Sequence, residues 1–180
     1  MLVTEINPND ELWLSKVEAP QIITDANLFA WDDEADLVVA GLGGAGIAAA
    51  NEALDQSLTV IGIDKTNGGG ATAKSGGVYY AGGGTPIQIA AGIKDSSENM
   101  FNYLIQETGN IVKESTLRKF CDTSAENTQW LMDNGVQFDP SYYKIKTSYP
   151  GAGYFLYHSD NSLVPSYMEK SIPAPRGHRG

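Results

Sequence analysis

The 180-residue sequence has a single cysteine, Cys121, so it offers no disulfide framework, no paired-cysteine metal site and no iron–sulfur cluster of its own. Basic residues are scarce, since 12 Lys and Arg stand against 22 Asp and Glu, and the formal net charge is −10. An acidic surface repels nucleic-acid phosphates, so we expect no nucleic-acid partner. No apolar run approaches the roughly 18–20 residues that cross a membrane, and we expect no span.

The first residues, "MLVTEINPNDELW", have neither the basic start nor the apolar stretch of a signal peptide. Together with the lone cysteine, this pattern predicts a cytoplasmic location. We predict no metal site. The 180 residues are enough for one domain and part of a second, and the 42% of hydrophobic residues predicts a globular chain.

A βαβ unit is predicted after the acidic stretch "WDDEAD" (31–36), which we interpret as a solvated approach to the first strand. The apolar run 37–40 is typical of a strand that a parallel sheet buries on both faces. The following "AGIAAANEAL" favours a helix with Ile47, Ala50 and Leu54 on one face. The β-branched run 58–63 predicts the second strand.

Between the first strand and the helix, three glycines have the spacing G-x-G-x-x-G. Gly41 would allow a tight turn, Gly43 would let a diphosphate approach the backbone, and Gly46 would let the helix pack close to the strand. The helix N-terminus would then direct unpaired N–H groups at the anion. The pattern therefore predicts a dinucleotide site that needs no basic side chain.

Asp64 ends the second predicted strand, 18 residues after Gly46. This is close to the spacing of the acid that binds ribose hydroxyls, and an acid there disfavours the 2′-phosphate of NADP. No G-K-[ST] follows the glycines, so a Walker A site is not predicted.

A second glycine-rich stretch, "NGGGATAKSGGVYYAGGG" (67–84), is predicted to be a functional loop. Two helices should follow. The first would begin with a capping box formed by Asp95 and Glu98, and the second would run from about Ser115 to a C-terminal Gly135. The stretch from residue 136 onward predicts irregular structure or short strands. His158 and His178 are interpreted as polar loop residues.

The pattern G-G-x-T-x-x-S-G-G from Gly69 to Gly77 resembles the FAD-binding segment of the fumarate reductase/succinate dehydrogenase flavoprotein superfamily. Within it, the sequence is most similar to 3-ketosteroid dehydrogenases of the Δ4 type. These carry similar versions of "WDDEAD", of the run 69–86, of "ENM" (98–100), of "WL…GV.F" (130–138) and of "PAPRGH" (173–178). The resemblance extends from about Trp31 to His178.

The resemblance implies FAD as the cofactor, with its ADP part on the βαβ unit and its flavin ring near the end of the second glycine segment. It implies a cofactor-binding set comprising Gly41, Gly43, Gly44, Ala45, Gly46, Asp64, Lys65, Gly69, Gly70, Ala71, Thr72, Ser75, Gly76 and Gly77. Lys74 is left out because relatives often carry an apolar residue there. Tyr80 aligns with an aromatic residue that faces the substrate, and it is our candidate catalytic residue. Its alternative role is packing.

The implied fold is α/β: a Rossmann-like FAD/NAD(P)-binding domain with a parallel sheet, a helical segment and the start of an incomplete substrate domain. We predict a lead-in over 1–35, the FAD-binding domain over 36–135 and the start of the substrate region over 136–180. Superfamily members are much longer chains. We therefore expect a missing C-terminal part of the same enzyme as a partner.

The implied activity is hydride transfer between flavin and a CH–CH or C=C bond of a ketosteroid-like substrate. One alternative is a fumarate-reductase-type enzyme acting on a small unsaturated acid. That class needs several Arg and His residues around the acid, and the chain has only Arg118, Arg176 and Arg179. Another alternative is a nucleotide-binding fragment without catalysis. Flavin colour would distinguish the enzymes from this fragment.

Overall fold

The computed structural model describes residues 19–109 and 111–179. The N-terminal segment without signal-peptide features, and about half of the predicted lead-in 1–35, lie outside the described residues. The secondary-structure elements, in chain order, are β1 (Leu37–Ala40), α1 (Gly44–Asp55), β2 (Val60–Ile63), a 3-10 turn (Thr72–Lys74), β3 (Val78–Tyr80), α2 (Pro86–Ala90), α3 (Ser97–Thr108), α4 (Glu114–Asp133), β4 (Tyr142–Tyr143), β5 (Leu156–Tyr157), α5 (Pro165–Met168) and β6 (Gly177–Arg179).

The predicted βαβ unit is present. Strands β1 and β2 pair in parallel, from Leu37 opposite Val60 to Ala40 opposite Ile63, and α1 is the crossover that packs on both strands. Parallel pairing of neighbouring strands requires such a crossover, because a tight hairpin can join only antiparallel strands. The sheet therefore presents the carboxyl ends of both strands to the glycine-rich segments that follow them.

The burial of this unit differs from the prediction. Val39 faces α1 and is buried, whereas Val38 is 57% exposed and Ile63 is 52% exposed. Helix α1 covers one face of a two-stranded sheet, so alternate side chains on the other face meet solvent. The helix itself packs through Ala53, while Ile47 and Leu54 of its predicted apolar stripe are exposed.

The two longer predicted helices, α3 and α4, pack against each other. Their core consists of Met100, Phe101, Leu117 and Cys121. The predicted end of α4 is confirmed, since the chain leaves the helix through Gly135 with a φ of +91° that favours glycine. Among the residues that the structure describes, no helix is long and apolar enough to cross a membrane.

The predicted start of α3 is wrong by one residue. Ser96 is the N-cap, and its hydroxyl accepts a hydrogen bond from the backbone N–H of Asn99 at 3.1 Å. Asp95 cannot cap the helix because its carboxylate lies in a buried ion pair, described below. A short helix, α2, was not predicted, although Thr85 and Gln88 form a complete capping box with Pro86 at its first turn.

A second sheet has the strand order β3–β6–β5–β4. Strand β6 runs antiparallel to both β3 and β5, and β5 runs parallel to β4. The three C-terminal strands are the short strands expected beyond residue 136. Strand β3 directly follows Gly77, so the pattern from Gly69 to Gly77 leads into an edge strand of this sheet.

Candidate functional site

The first glycine segment makes the turn from β1 into α1. Gly41 has a φ of +94°, which favours glycine, and its N–H donates to the Ile63 carbonyl at 2.7 Å. Gly43 is the N-cap of α1, and the first turn of that helix contains no acidic residue. A Cβ on Gly46 would collide with the Gly41 carbonyl oxygen. This glycine therefore permits the close helix–strand packing that its spacing predicts.

The second glycine segment crosses the start of α1. The Gly69 N–H donates to the Leu42 carbonyl at 2.7 Å. Gly70 has a φ of +52°, and a Cβ there would lie 3.0 Å from Gly43 Cα. A Cβ on Gly44 would lie 2.9 Å from the hydroxyl oxygen of Thr72. The fold thus brings together the two segments that the sequence assigned to one cofactor.

Asp64 lies where β2 ends and joins the first glycine segment to Thr66, the residue just before the second. One carboxylate oxygen accepts the Leu42 N–H at 2.7 Å. The other oxygen accepts the Thr66 N–H and the Thr66 hydroxyl, each at 2.7 Å. The bonds from Thr66 and then Leu42 hold the pKa of the Asp64 carboxyl below its ordinary value. The carboxylate therefore stays charged at neutral pH and fixes the two loops relative to each other.

An open cleft of about 920 Å³ lies at the carboxyl ends of β1 and β2. This volume falls within the range of small-molecule sites. Five of the predicted cofactor residues line it: Gly41, Asp64, Lys65, Gly70 and Ala71. Six further lining residues were not predicted: Ala40, Ile63, Thr66, Asn67, Gly68 and Lys74.

The other predicted cofactor residues lie around this cleft or lead away from it. Gly43, Gly44, Ala45 and Gly46 form the start of α1, and Gly69 and Thr72 lie against that start. Ser75, Gly76 and Gly77 continue toward β3. A Cβ on Gly76 would be 3.4 Å from the Tyr149 ring, which belongs to the loop before β5.

The residues that line the cleft suit a dinucleotide. Gly41, Gly68 and Gly70 bring backbone without side chains to the cleft, and Lys65 and Lys74 bring positive charge. A diphosphate needs donors and positive charge, and it needs close backbone approach. The bare glycines of the cleft supply the close approach, and its two lysines supply positive charge, so the residues present fit the ADP part of FAD.

Tyr80, the candidate catalytic residue, lies in β3 with its hydroxyl in a buried network. It donates to Asp160 at 2.7 Å. Burial, and then the charge of Asp160, raises the pKa of this hydroxyl. The other Asp160 oxygen accepts the N–H and the hydroxyl of Ser162. The structure therefore gives Tyr80 a structural partner, and its catalytic role stays a prediction.

Asp95 and Arg176 form the centre of the same network. Arg176 Nε and Nη2 donate to the two carboxylate oxygens at 2.8 and 2.9 Å, and both side chains are fully buried. Asp95 also accepts the Gly83 N–H and amide hydrogens from Gln88 and Asn99. Burial alone would raise the pKa of Asp95, but the hydrogen bonds and charge of Arg176 hold it below its ordinary value.

Both histidines are buried, and His158 lies in a loop as interpreted, whereas His178 lies in a strand and its interpretation as a loop residue is wrong. His178 lies in β6, where Nδ1 donates to the Arg176 carbonyl at 3.1 Å and Nε2 pairs with the Thr85 hydroxyl at 3.0 Å. This pairing fits a neutral ring that accepts from Thr85. His158 follows β5 and pairs with the Tyr142 hydroxyl at 3.0 Å. Burial lowers the pKa of both rings.

Comparisons with known proteins agree with this geometry. The family described as FAD binding domain matches residues 36–163. A 3-oxo-5-alpha-steroid 4-dehydrogenase of Comamonas testosteroni is 40% identical over 87% of this chain and 30% of its own length. An NADH:fumarate oxidoreductase of Klebsiella pneumoniae is 34% identical over 58% of this chain and 11% of its own.

Among solved structures, the 3-ketosteroid-delta4-(5alpha)-dehydrogenase of Rhodococcus jostii RHA1, in complex with 4-androstene-3,17-dione, matches with a TM-score of 0.78. It is 40% identical, and the match covers 84% of this chain and 32% of that one. The chain thus spans about a third or less of the length of the relatives it matches.

Proposed function

The chain belongs to the family of FAD-binding domains, and from this premise we propose that it is the cofactor-holding part of an oxidoreductase that acts on a ketosteroid-like substrate. Its cofactor is FAD. FAD supplies a ring that takes up or gives a hydride. The proposal rests on one observation. The two glycine segments meet at the start of α1, beside the cleft that Asp64 lines.

In the proposal, the cleft binds the ADP part of FAD. The start of α1, from Gly43 to Gly46, directs backbone N–H groups at the diphosphate. Gly69, Gly70, Ala71 and Thr72 would lie along it from the other side. Asp64 would accept a ribose hydroxyl, and Lys65 would contact the same region. These assignments agree with the bare backbone of the cleft and the spacing of the two segments.

The flavin ring would lie toward the end of the second segment, near Ser75, Gly76 and Gly77. This segment leads from the cleft into β3, which carries Tyr80. Tyr80 remains the candidate catalytic residue in the proposal. Since its hydroxyl already donates to Asp160, it would hydrogen-bond a substrate ketone only by exchanging that partner.

The partners of the three arginines favour a steroid-like substrate over a small unsaturated acid. Arg176 is fully buried in its pair with Asp95, and Arg118 pairs with Glu98 at 2.6 Å. Arg179 donates to the Pro150 carbonyl. An acid-binding site needs arginines that face a ligand, and this chain offers no cluster of that kind within its described residues.

The proposal includes a partner, the C-terminal part of the same enzyme. Exposed apolar side chains on the open face of the β1–β2 sheet, such as Val38 and Ile63, are what such a part would cover. The division into 36–135 and 136–180 stays a prediction, although β3 and β6 pair across it. A cytoplasmic location is also proposed, from the single buried thiol of Cys121.

The test is anaerobic reduction of the flavin in the complete enzyme, in which this chain is joined to its C-terminal part. A saturated 3-ketosteroid should bleach the flavin absorbance, and succinate should leave it unchanged. Bleaching by succinate would favour the fumarate-reductase alternative. A colourless protein that binds ADP alone would favour a nucleotide-binding fragment without catalysis.

A further inference from the structure

Two positive charges line the cleft, Lys65 and Lys74, at the two ends of the segment that forms its outer edge. Neither lysine forms an ion pair with any carboxylate of residues 19–109 and 111–179. In a chain of net charge −10, two lysines without a protein anion on one cleft form a local positive region.

The carboxylate in the same cleft does not neutralise them. Asp64 accepts hydrogen bonds from Thr66 and Leu42 that lower the pKa of its carboxyl, the Gly68 N–H also lowers this pKa, and Asp64 forms no ion pair with either lysine. The ammonium groups are therefore the groups of this cleft that are available for an anion.

Lys74 also lies close to the start of α1. It is the last residue of the 3-10 turn 72–74, and Thr72 of that turn contacts the Gly44 position. The first turn of α1 has no acidic side chain, so its N–H groups and Lys74 favour the same sign of ligand charge. An anion in the cleft would meet Lys74 directly, and the positive end of α1 would lie nearby.

We propose that Lys74 binds the diphosphate of the dinucleotide and so increases the affinity of this chain for its cofactor. The proposal rests on the proposed function, since it assumes that the ligand of the cleft is the ADP part of FAD. Lysine is a compact, strongly hydrated cation with three donors and binds phosphate as a point charge. The sequence alone did not place Lys74 in the site. We include it because it lines the cleft.

The experiment is calorimetric titration of the 180-residue chain with ADP, AMP and adenosine, for the wild type and for Lys74→Ala, Lys74→Arg and Lys94→Ala. Lys94 is an exposed lysine that does not line the cleft, so it controls for net charge. Lys74 is exposed as well, so we expect every variant to fold. Circular dichroism melting checks this.

Lys74→Ala should weaken ADP binding about tenfold, leave adenosine binding unchanged, and reduce the dependence of ADP affinity on salt. Lys74→Arg should retain most of the affinity, and Lys94→Ala should match the wild type. Equal losses for ADP and adenosine, or no loss for Lys74→Ala, would overturn the proposal. A wild-type chain that binds no ADP would instead contradict the proposed function.

One further arm separates two phosphate sources. Adenosine 2′,5′-bisphosphate carries a ribose 2′-phosphate, and ADP does not. A diphosphate contact predicts that Lys74→Ala weakens ADP more than it weakens the bisphosphate. A larger loss for the bisphosphate would place Lys74 at the ribose and overturn the assignment.

Discussion

At Gly43 the fold would tolerate a side chain, whereas a bound cofactor would not. The Gly43 φ of −79° is open to any residue, and a Cβ there would lie 3.8 Å from Gly70 Cα, an ordinary contact. The fold would therefore accept a methyl group, whereas a diphosphate passing over the backbone would not. We expect Gly43→Ala to fold within about 1 kcal/mol of the wild type and to bind ADP at least tenfold more weakly.

The matched control for Gly43 is Gly46→Ala. A Cβ on Gly46 would collide with the Gly41 carbonyl, so this variant should lose stability along with binding. Urea unfolding and calorimetry on both variants separate the two effects. Unchanged ADP affinity in Gly43→Ala would show that no diphosphate passes over this residue.

Substitution of Asp64 tests whether its carboxylate binds the ribose hydroxyls. The carboxylate already accepts hydrogen bonds from Leu42 and Thr66, and in the proposal it also accepts a sugar hydroxyl. Asp64→Ala should weaken ADP binding several-fold more than it weakens binding of 2′,3′-dideoxy-ADP, measured by calorimetry. If both ligands lost the same factor, Asp64 would act only through the loops that it joins.

At the scale of elements, the Asp95–Arg176 pair joins the glycine turn before α2, the segment leading into α3 and the segment leading into β6. Removing one partner leaves a buried charge without its counter-ion. We expect Arg176→Met to lower the free energy of unfolding by roughly 3–5 kcal/mol in urea titrations. The double variant Asp95→Leu/Arg176→Met should recover part of this loss.

The exposed pair of Arg118 and Glu98 is the control for that prediction. The Glu98 side chain is 66% exposed, so Glu98→Gln should change stability by less than about 1 kcal/mol. An equally small effect of Arg176→Met would mean that the buried network does not hold these elements together.

The stability of the fold should depend on pH through two buried histidines, His178 in β6 and His158 just after β5. Burial places the folded-state pKa of each ring below its unfolded value of about 6.5, so the unfolded chain binds more protons in acid. Stability should be full above about pH 7 and should fall as the pH drops through 6 toward 5. Each histidine contributes at most about 1.4 kcal/mol per pH unit.

Urea unfolding at several pH values measures this slope. His178→Asn keeps a donor near the Arg176 carbonyl but removes one titrating ring, so its slope between pH 7 and 5 should be smaller than that of the wild type. A free energy of unfolding of the wild type that increases as the pH falls from 7 to 5 would contradict the assignment of neutral, buried rings.

The sequence predicted those elements whose signals are local. The βαβ unit follows from its apolar runs and glycine spacing, and α4 from its apolar stripe and Gly135. Helix α2 carries an equally local signal in Thr85, Pro86 and Gln88, although it was not predicted. The start of α3 was misplaced because Asp95 pairs with Arg176, 81 residues away, and no local pattern announces such a partner.

At the scale of the whole molecule, the two glycine segments meet at the start of α1, as their assignment to one cofactor requires, and their role in binding it stays a prediction. The place of Lys74 on the cleft depends on where the 3-10 turn lies against α1, which spacing alone does not give. The exposure of Val38 was missed for a similar reason. A sequence shows that a strand is apolar, but not how many elements of the described chain cover it.

The chain alone should bind ADP without turning over substrate. Its cleft for the ADP part is local to residues 41–74, whereas the site for a substrate would need positioning groups beyond these residues. Positioning is worth roughly 7–11 kcal/mol of a reaction barrier, so its loss removes detectable catalysis. Turnover of a 3-ketosteroid with an artificial acceptor by the purified 180-residue chain would show that these residues complete the site.

The most direct test of the account is an ADP titration followed through the backbone amide NMR signals of the chain. The account predicts saturable shifts concentrated in residues 41–46 and 64–77, with the amides around Asp95 and Arg176 unchanged. No saturable shift, or shifts centred on the second sheet, would contradict the assignment of this cleft to the cofactor.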